Sequence, residues 1–165
     1  MHGTLKSAAV IALSIALIGC DMGMNHTNSR YSGPTSFASN GERIYFTGIG
    51  HDGRPIATSG GNMHQSMHSQ GCVGCHGTDR EGGARMYPFF WIKSPPLTNH
   101  ALFGEHNDGH GDHDRYSFAT LRRAIREGID PSGDALDNIM PRWTIDEQDL
   151  DDLVDYLAKT GDGLH

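Results

Sequence analysis

Cys72-Val73-Gly74-Cys75-His76 constrains this chain more than any other stretch. Two cysteines three apart in a tight turn point the same way, and a histidine follows directly. Each thiol can add to one vinyl group of a single porphyrin. The imidazole is then carried beneath the macrocycle, where it can bind iron. C-x-x-C-H is the attachment signature of a c-type haem. One covalent haem c is therefore expected, with Cys72 and Cys75 as tethers and His76 as proximal ligand. A structural zinc site needs four ligands, usually in two separated pairs, and Cys20 is the only other cysteine. A thioredoxin-type C-x-x-C belongs to a βαβ unit, but a Gly-, His- and Met-rich segment precedes Cys72.

The length of 165 residues suggests one domain. Apolar residues make up only 36% and there are 22 glycines, so much of the chain must be loop. Such a chain has little apolar surface to bury, and a buried porphyrin would supply the missing core. The net charge of −7 argues against nucleic acid as a partner. It favours a protein with a basic docking patch, although solubility alone also accounts for an acidic surface.

At the start, Lys6 precedes an apolar run over residues 7–18. That run is too short to span a membrane and suits the apolar core of a signal peptide. It ends in Leu17-Ile18-Gly19-Cys20, which has the form of a bacterial lipobox, so lipidation is expected at Cys20. An ordinary secretory signal is the other reading, and both export the chain. The expected organisation is a signal peptide over 1–19, a flexible tether over 20–37, a domain over 38–161 and a tail over 162–165. The expected location is the periplasmic side of a bacterial membrane, held there by lipid.

Three helices are expected in the domain. Residues 39–47 follow a Ser39 or Asn40 cap and carry Ile44, Tyr45 and Phe46. Gly41, one turn before Tyr45, would let another helix cross closely. Residues 117–128 place Phe118, Leu121 and Ile125 on one face and stop at Gly128. Arg122, Arg123 and Arg126 lie elsewhere on that helix, as a solvated face or as partners for haem propionates. The last helix runs from a Thr144–Glu147 capping box to about Thr160, with Leu150, Leu153, Val154 and Leu157 as its stripe.

The other segments bear on ligands. Met140, directly before Pro141, can swing its sulfur over the opposite haem face, and the proline stiffens the backbone there. Met63, Met67 and Met86 are rivals for that role, and a plain core position is the alternative. A proline carbonyl in Pro95-Pro96 can accept the Nδ1–H of His76 and leave Nε2 for iron; Pro96 is the residue we carry forward. Residues 87–92 are aromatic enough to wall a haem pocket. Met63-His64 and Met67-His68 suit copper, or else belong to a glycine-rich loop flanking the haem. His100, His106, His110 and His113 lie among three Asp and one Glu, as a metal site or a solvated loop.

Together these residues resemble a class I mono-haem c-type cytochrome over about 38–161, an all-α fold built around one covalent haem. The likeness rests on Gly41 and Tyr45, the C-x-x-C-H, Pro96-Leu97, Met140-Pro141 and Tyr156-Leu157, in that order. It implies that the first and last helices cross near Gly41 and Tyr156, and that His76 and Met140 are the axial pair. Two long segments, about 48–71 and 98–116, depart from it. The expected function is one-electron transfer by a monomeric carrier, not an enzyme, between membrane respiratory and periplasmic redox partners. The alternatives are a haem sensor or peroxidase-like enzyme with a labile sixth ligand, and a copper-handling lipoprotein.

Overall fold

A computed structural model of the chain describes residues 33–61, 71–86, 90–104 and 114–159. The chain enters its first helix, α1 (Asn40–Thr47), through Ser39, whose hydroxyl accepts from the Glu42 N–H at 3.1 Å. It leaves through Gly48 in the left-handed conformation, φ 67°, a geometry that glycine adopts at no steric cost. Four further helices lie among the described residues: α2 (Val73–His76), α3 (Asn99–Phe103), α4 (Phe118–Glu127) and α5 (Glu147–Ala158). None of the described helices is long and apolar enough to cross a membrane.

The fold is mainly helical, and the described residues add one small sheet to the helices. β1 (Ala57–Ser59) and β2 (Arg142–Thr144) form a two-stranded antiparallel sheet with Ala57 opposite Thr144, Thr58 opposite Trp143 and Ser59 opposite Arg142. All three β1 side chains are exposed. A strand held by its backbone alone leaves no apolar alternation in the sequence.

α1 and α5 cross at Gly41. A Cβ at that position would overlap the Asp152 carbonyl and lie 2.8 Å from the Tyr156 Cβ. The missing side chain lets the helix backbones touch, and Tyr45 then meets Tyr156 with ring centroids 5.5 Å apart. Ile44, Leu150, Leu153, Val154 and Leu157 fill the space around this contact, joined by Leu121, Ile125 and Trp143 from α4 and β2. Polar groups close the ends of the crossing. Asn40 Nδ2 donates to Asp149 at 2.8 Å and to Asp152 at 2.7 Å, and the His51 N–H donates to Asp149 at 2.9 Å. Burial alone would raise the Asp149 pKa, but these hydrogen bonds outweigh it and hold the carboxylate below its ordinary value.

α4 has the predicted boundaries, with Ser117 as cap and Gly128 as left-handed stop. Phe118 is an exception to its expected apolar face: it is exposed and packs edge-on against Phe103. The α4 arginines are half-exposed and take partners within the protein. Arg122 pairs with Glu147 and Asp151, Arg126 with Glu147, and Arg123 donates to the Asp130 carbonyl. These contacts bind α4 to the start of α5 and to the loop after α4.

The Thr144–Glu147 capping box does not form. Thr144 is committed to β2, and Asp146 caps α5 instead, accepting from the Asp149 N–H at 2.8 Å. The described capping box is at α4, between Ser117 and Thr120. The last helix ends at Ala158, and residues 160 onward lie outside the described ones.

Gly41→Ala should cost about 1–3 kcal/mol of stability, because the added methyl meets backbone and not a movable side chain. Urea unfolding checks this, and an unchanged midpoint would mean that the helices do not touch at Gly41.

Candidate functional site

The C-x-x-C-H turn is short and tightly held. Cys72 precedes α2 in helical conformation, and its carbonyl accepts from the Cys75 N–H at 3.1 Å and the His76 N–H at 3.0 Å. One helical turn therefore separates the two sulfurs, on one face. The turn is pressed onto α1. A Cβ on Gly71 would lie 2.6 Å from the carbonyl oxygens of Tyr45 and Phe46, and Tyr45 Oη donates to the Gly77 carbonyl at 2.7 Å. Burial pushes the Tyr45 phenol well above its ordinary pKa, so it remains a donor.

Neither cysteine of the motif is in a disulfide. Burial, with the neighbouring Cys75, pushes the Cys72 thiol up to about 12. Cys72 in the haem-free chain is therefore a neutral S–H at pH 7. His76 is buried, and burial holds its pKa below 6.5 despite the opposing bond from its ring to a carbonyl. Nδ1 lies 2.8 Å from that carbonyl. A neutral imidazole tied at Nδ1 offers Nε2 as its lone pair. Two thiols and such an imidazole are the donor set that covalent haem requires, so the residues present fit that group.

The carbonyl belongs to Pro95 and not to Pro96, the expected candidate. The segment is fixed on both sides: Ser94 Oγ donates to the Cys75 carbonyl at 2.5 Å, and the Leu97 N–H donates to the Arg80 carbonyl at 2.7 Å. The carbonyl that faces His76 between these two anchors is that of Pro95. Ser94 also accepts from the Ala84 N–H at 3.1 Å, so it ties three strands of loop at once. Nothing in the sequence marked it.

Met140 is half-buried, at the end of a turn in which its N–H donates to the Asp137 carbonyl at 3.0 Å. Arg142, which sequence reasoning missed, folds back over this turn. Its guanidinium donates to the Met140 carbonyl and, at 2.9 Å, to the Leu136 carbonyl. It lies against Gly128, where a Cβ would collide with it. The chain just past β1 braces the other side: the Gly61 N–H donates to the Asn138 carbonyl at 2.9 Å. Part of the long segment after α1 is therefore a support for the Met140 loop.

Met86 is buried, and its N–H donates to the Ile92 carbonyl at 2.9 Å within a small hairpin that the Arg85–Lys93 bridge closes. Phe90 and Trp91 precede Ile92 and are 55% and 75% exposed. Residues 87–89 lie outside the described ones, as do Cys20, Met63, His64, Met67, His68, His106, His110 and His113. His100 is exposed on α3.

An acid titration of the haem-free chain tests the His76 environment. The folded pKa is depressed, so folding is opposed increasingly as pH falls from the unfolded value of about 6.5 towards the lower folded value. The His76 ring signals in NMR should titrate below 6.5. A midpoint at 6.5 or above would contradict a buried, Pro95-bonded ring.

A protein-family model described as Cytochrome c matches residues 64–161. No curated protein and no solved structure matches the chain.

Proposed function

This chain belongs to the cytochrome c family, and from that premise we propose that it is a one-electron carrier holding a single His/Met-ligated haem c. Family membership carries the general statement, haem-based electron transfer on a covalently bound haem c. The finer reading rests on one observation above others, the 2.8 Å bond from His76 Nδ1 to Pro95, which leaves Nε2 as the ring's lone pair for iron. Haem c supplies a metal that exchanges one electron without leaving the protein.

The chain's own residues do the rest. Cys72 and Cys75 tether the group, so it stays with the protein through every cycle. His76 is locked in one tautomer, and Met140 sits on a loop clamped by Arg142 and β1. A rigid ligand cage changes little between oxidised and reduced states, which keeps electron exchange fast. Thioether ligation favours ferrous iron and raises the potential. His76 and Met140 would together hold the iron and leave substrate no position on it, so the protein would act as a carrier and not as an enzyme.

The decisive experiment is carbon monoxide binding to the reduced, haem-loaded protein. The wild type should show no carbon monoxide spectrum, whereas Met140→Ala should bind stoichiometrically and have a lower reduction potential. Rapid binding by the wild type would support the sensor or peroxidase-like reading. An unchanged Met140→Ala spectrum would move the ligand role to another methionine or to a histidine.

Our reading of location is an exported protein, lipidated at Cys20 and held at the periplasmic side of a bacterial membrane. Residues 20–37 would tether the domain within reach of respiratory complexes and periplasmic reductases. Acyl chains contribute about 0.8 kcal/mol per buried CH2. Cys20→Ser should therefore shift the protein from the membrane to the soluble fraction; continued membrane association would point to the apolar run over 7–18 as the anchor.

A further inference from the structure

Among the described residues, Arg80 is the only non-glycine with a positive φ, 65°. An L-residue adopts this conformation only when its surroundings demand it. Arg80 is also buried, with 5% of its surface exposed. Its Nη1 donates to the Tyr156 carbonyl at 3.2 Å, and the guanidinium lies 5.2 Å from the Tyr156 ring centroid. Its Nε is buried without a hydrogen-bond partner. No carboxylate among the described residues lies within ion-pair distance of it. The adjacent Asp79 and Glu81 are exposed, and the Asp79 carboxylate accepts from the Glu81 N–H.

A guanidinium remains charged at any working pH. Burying it without a counter-ion is costly, and the fold adds a disfavoured backbone conformation to that cost. The location suggests what offsets it. The Arg80 carbonyl holds Leu97, two residues past the carbonyl that orients His76. The Gly82 N–H returns to the His76 carbonyl at 2.9 Å. Arg80 therefore sits in the loop that joins the haem-attachment turn to the segment bearing on His76, anchored to α5 by its side chain.

We propose that Arg80 is a positioning residue and a fixed buried cation that biases the haem towards its reduced state. The inference rests on the carrier reading given above. Taking up one electron lowers the charge at the iron by one. A nearby positive charge in a poorly polarisable interior therefore favours the ferrous form and raises the reduction potential. The electron comes from, and returns to, one-electron redox partners, and no bond is made or broken.

The test is a potentiometric titration of haem-loaded wild type, Arg80→Gly, Arg80→Gln and Arg80→Lys at low and at 1 M salt. Glycine accepts the backbone conformation and glutamine retains a donor for the Tyr156 carbonyl, but both remove the charge. Each should lower the midpoint by about 59 mV, a tenfold change for one electron. Lysine should retain most of the wild-type potential. The difference should persist at high salt, because a buried charge is screened little.

The proposal is overturned if the neutral variants load haem and keep the wild-type potential, if lysine falls as far as they do, or if 1 M salt abolishes the difference. Failure of all three variants to attach haem also overturns it, since Arg80 would then serve the fold alone. Failure of the wild type to attach haem would instead sink the carrier reading on which the proposal stands.

Discussion

The approach of two helix backbones at Gly41 is the contact on which the rest of this structure depends. α1 supplies Tyr45, and α5 supplies Tyr156 and the Asp152 carbonyl that the absent Cβ admits. The haem-attachment turn has little apolar surface of its own and is held by what this crossing presents to it. Gly71 packs on the α1 carbonyls, Tyr45 reaches the Gly77 carbonyl, and Arg80 reaches the end of α5. A larger residue at position 41 would separate the helices and disturb all three supports together.

The two sides of the proposed haem site are built on different principles. On the His76 side a short covalent motif is fixed by backbone hydrogen bonds and by Ser94, with the ring buried and neutral. On the Met140 side the ligand candidate stands on an irregular loop that contributes little packing. Arg142 and the β1 backbone give it the rigidity that a helix would otherwise supply. The glycine-rich segment that departs from the family's usual length after α1 is thus partly accounted for, since residues 57–61 run beside the Met140 loop.

Features decided within a few residues were legible in the sequence. Ser39, one of the two caps expected, caps α1, and Gly128 stops α4, as their local chemistry dictates. Gly41 and the Leu150–Leu157 stripe were legible because spacing alone places them on one helix face. Features decided by distant partners were not. Thr144 has the signature of a cap, but pairing with Ala57 claims it for a strand, and Asp146 takes its place. Which proline carbonyl faces His76 depends on Ser94 and Leu97 anchoring the segment, which no local rule reveals. Arg80 reads as a surface residue between two acids, but the left-handed backbone turns its side chain inward beneath α5.

The exposed strand β1 has an evolutionary consequence. Its three side chains face solvent, and its pairing uses only backbone groups. The identities of Ala57, Thr58 and Ser59 are therefore nearly free to drift, apart from proline, which lacks the N–H of a ladder. The number of residues is not free. Deleting one would slip the register by a residue and move the Gly61–Asn138 bond out of place. Over residues 57–61 of this chain, selection would act on the number of residues and leave their composition largely unconstrained.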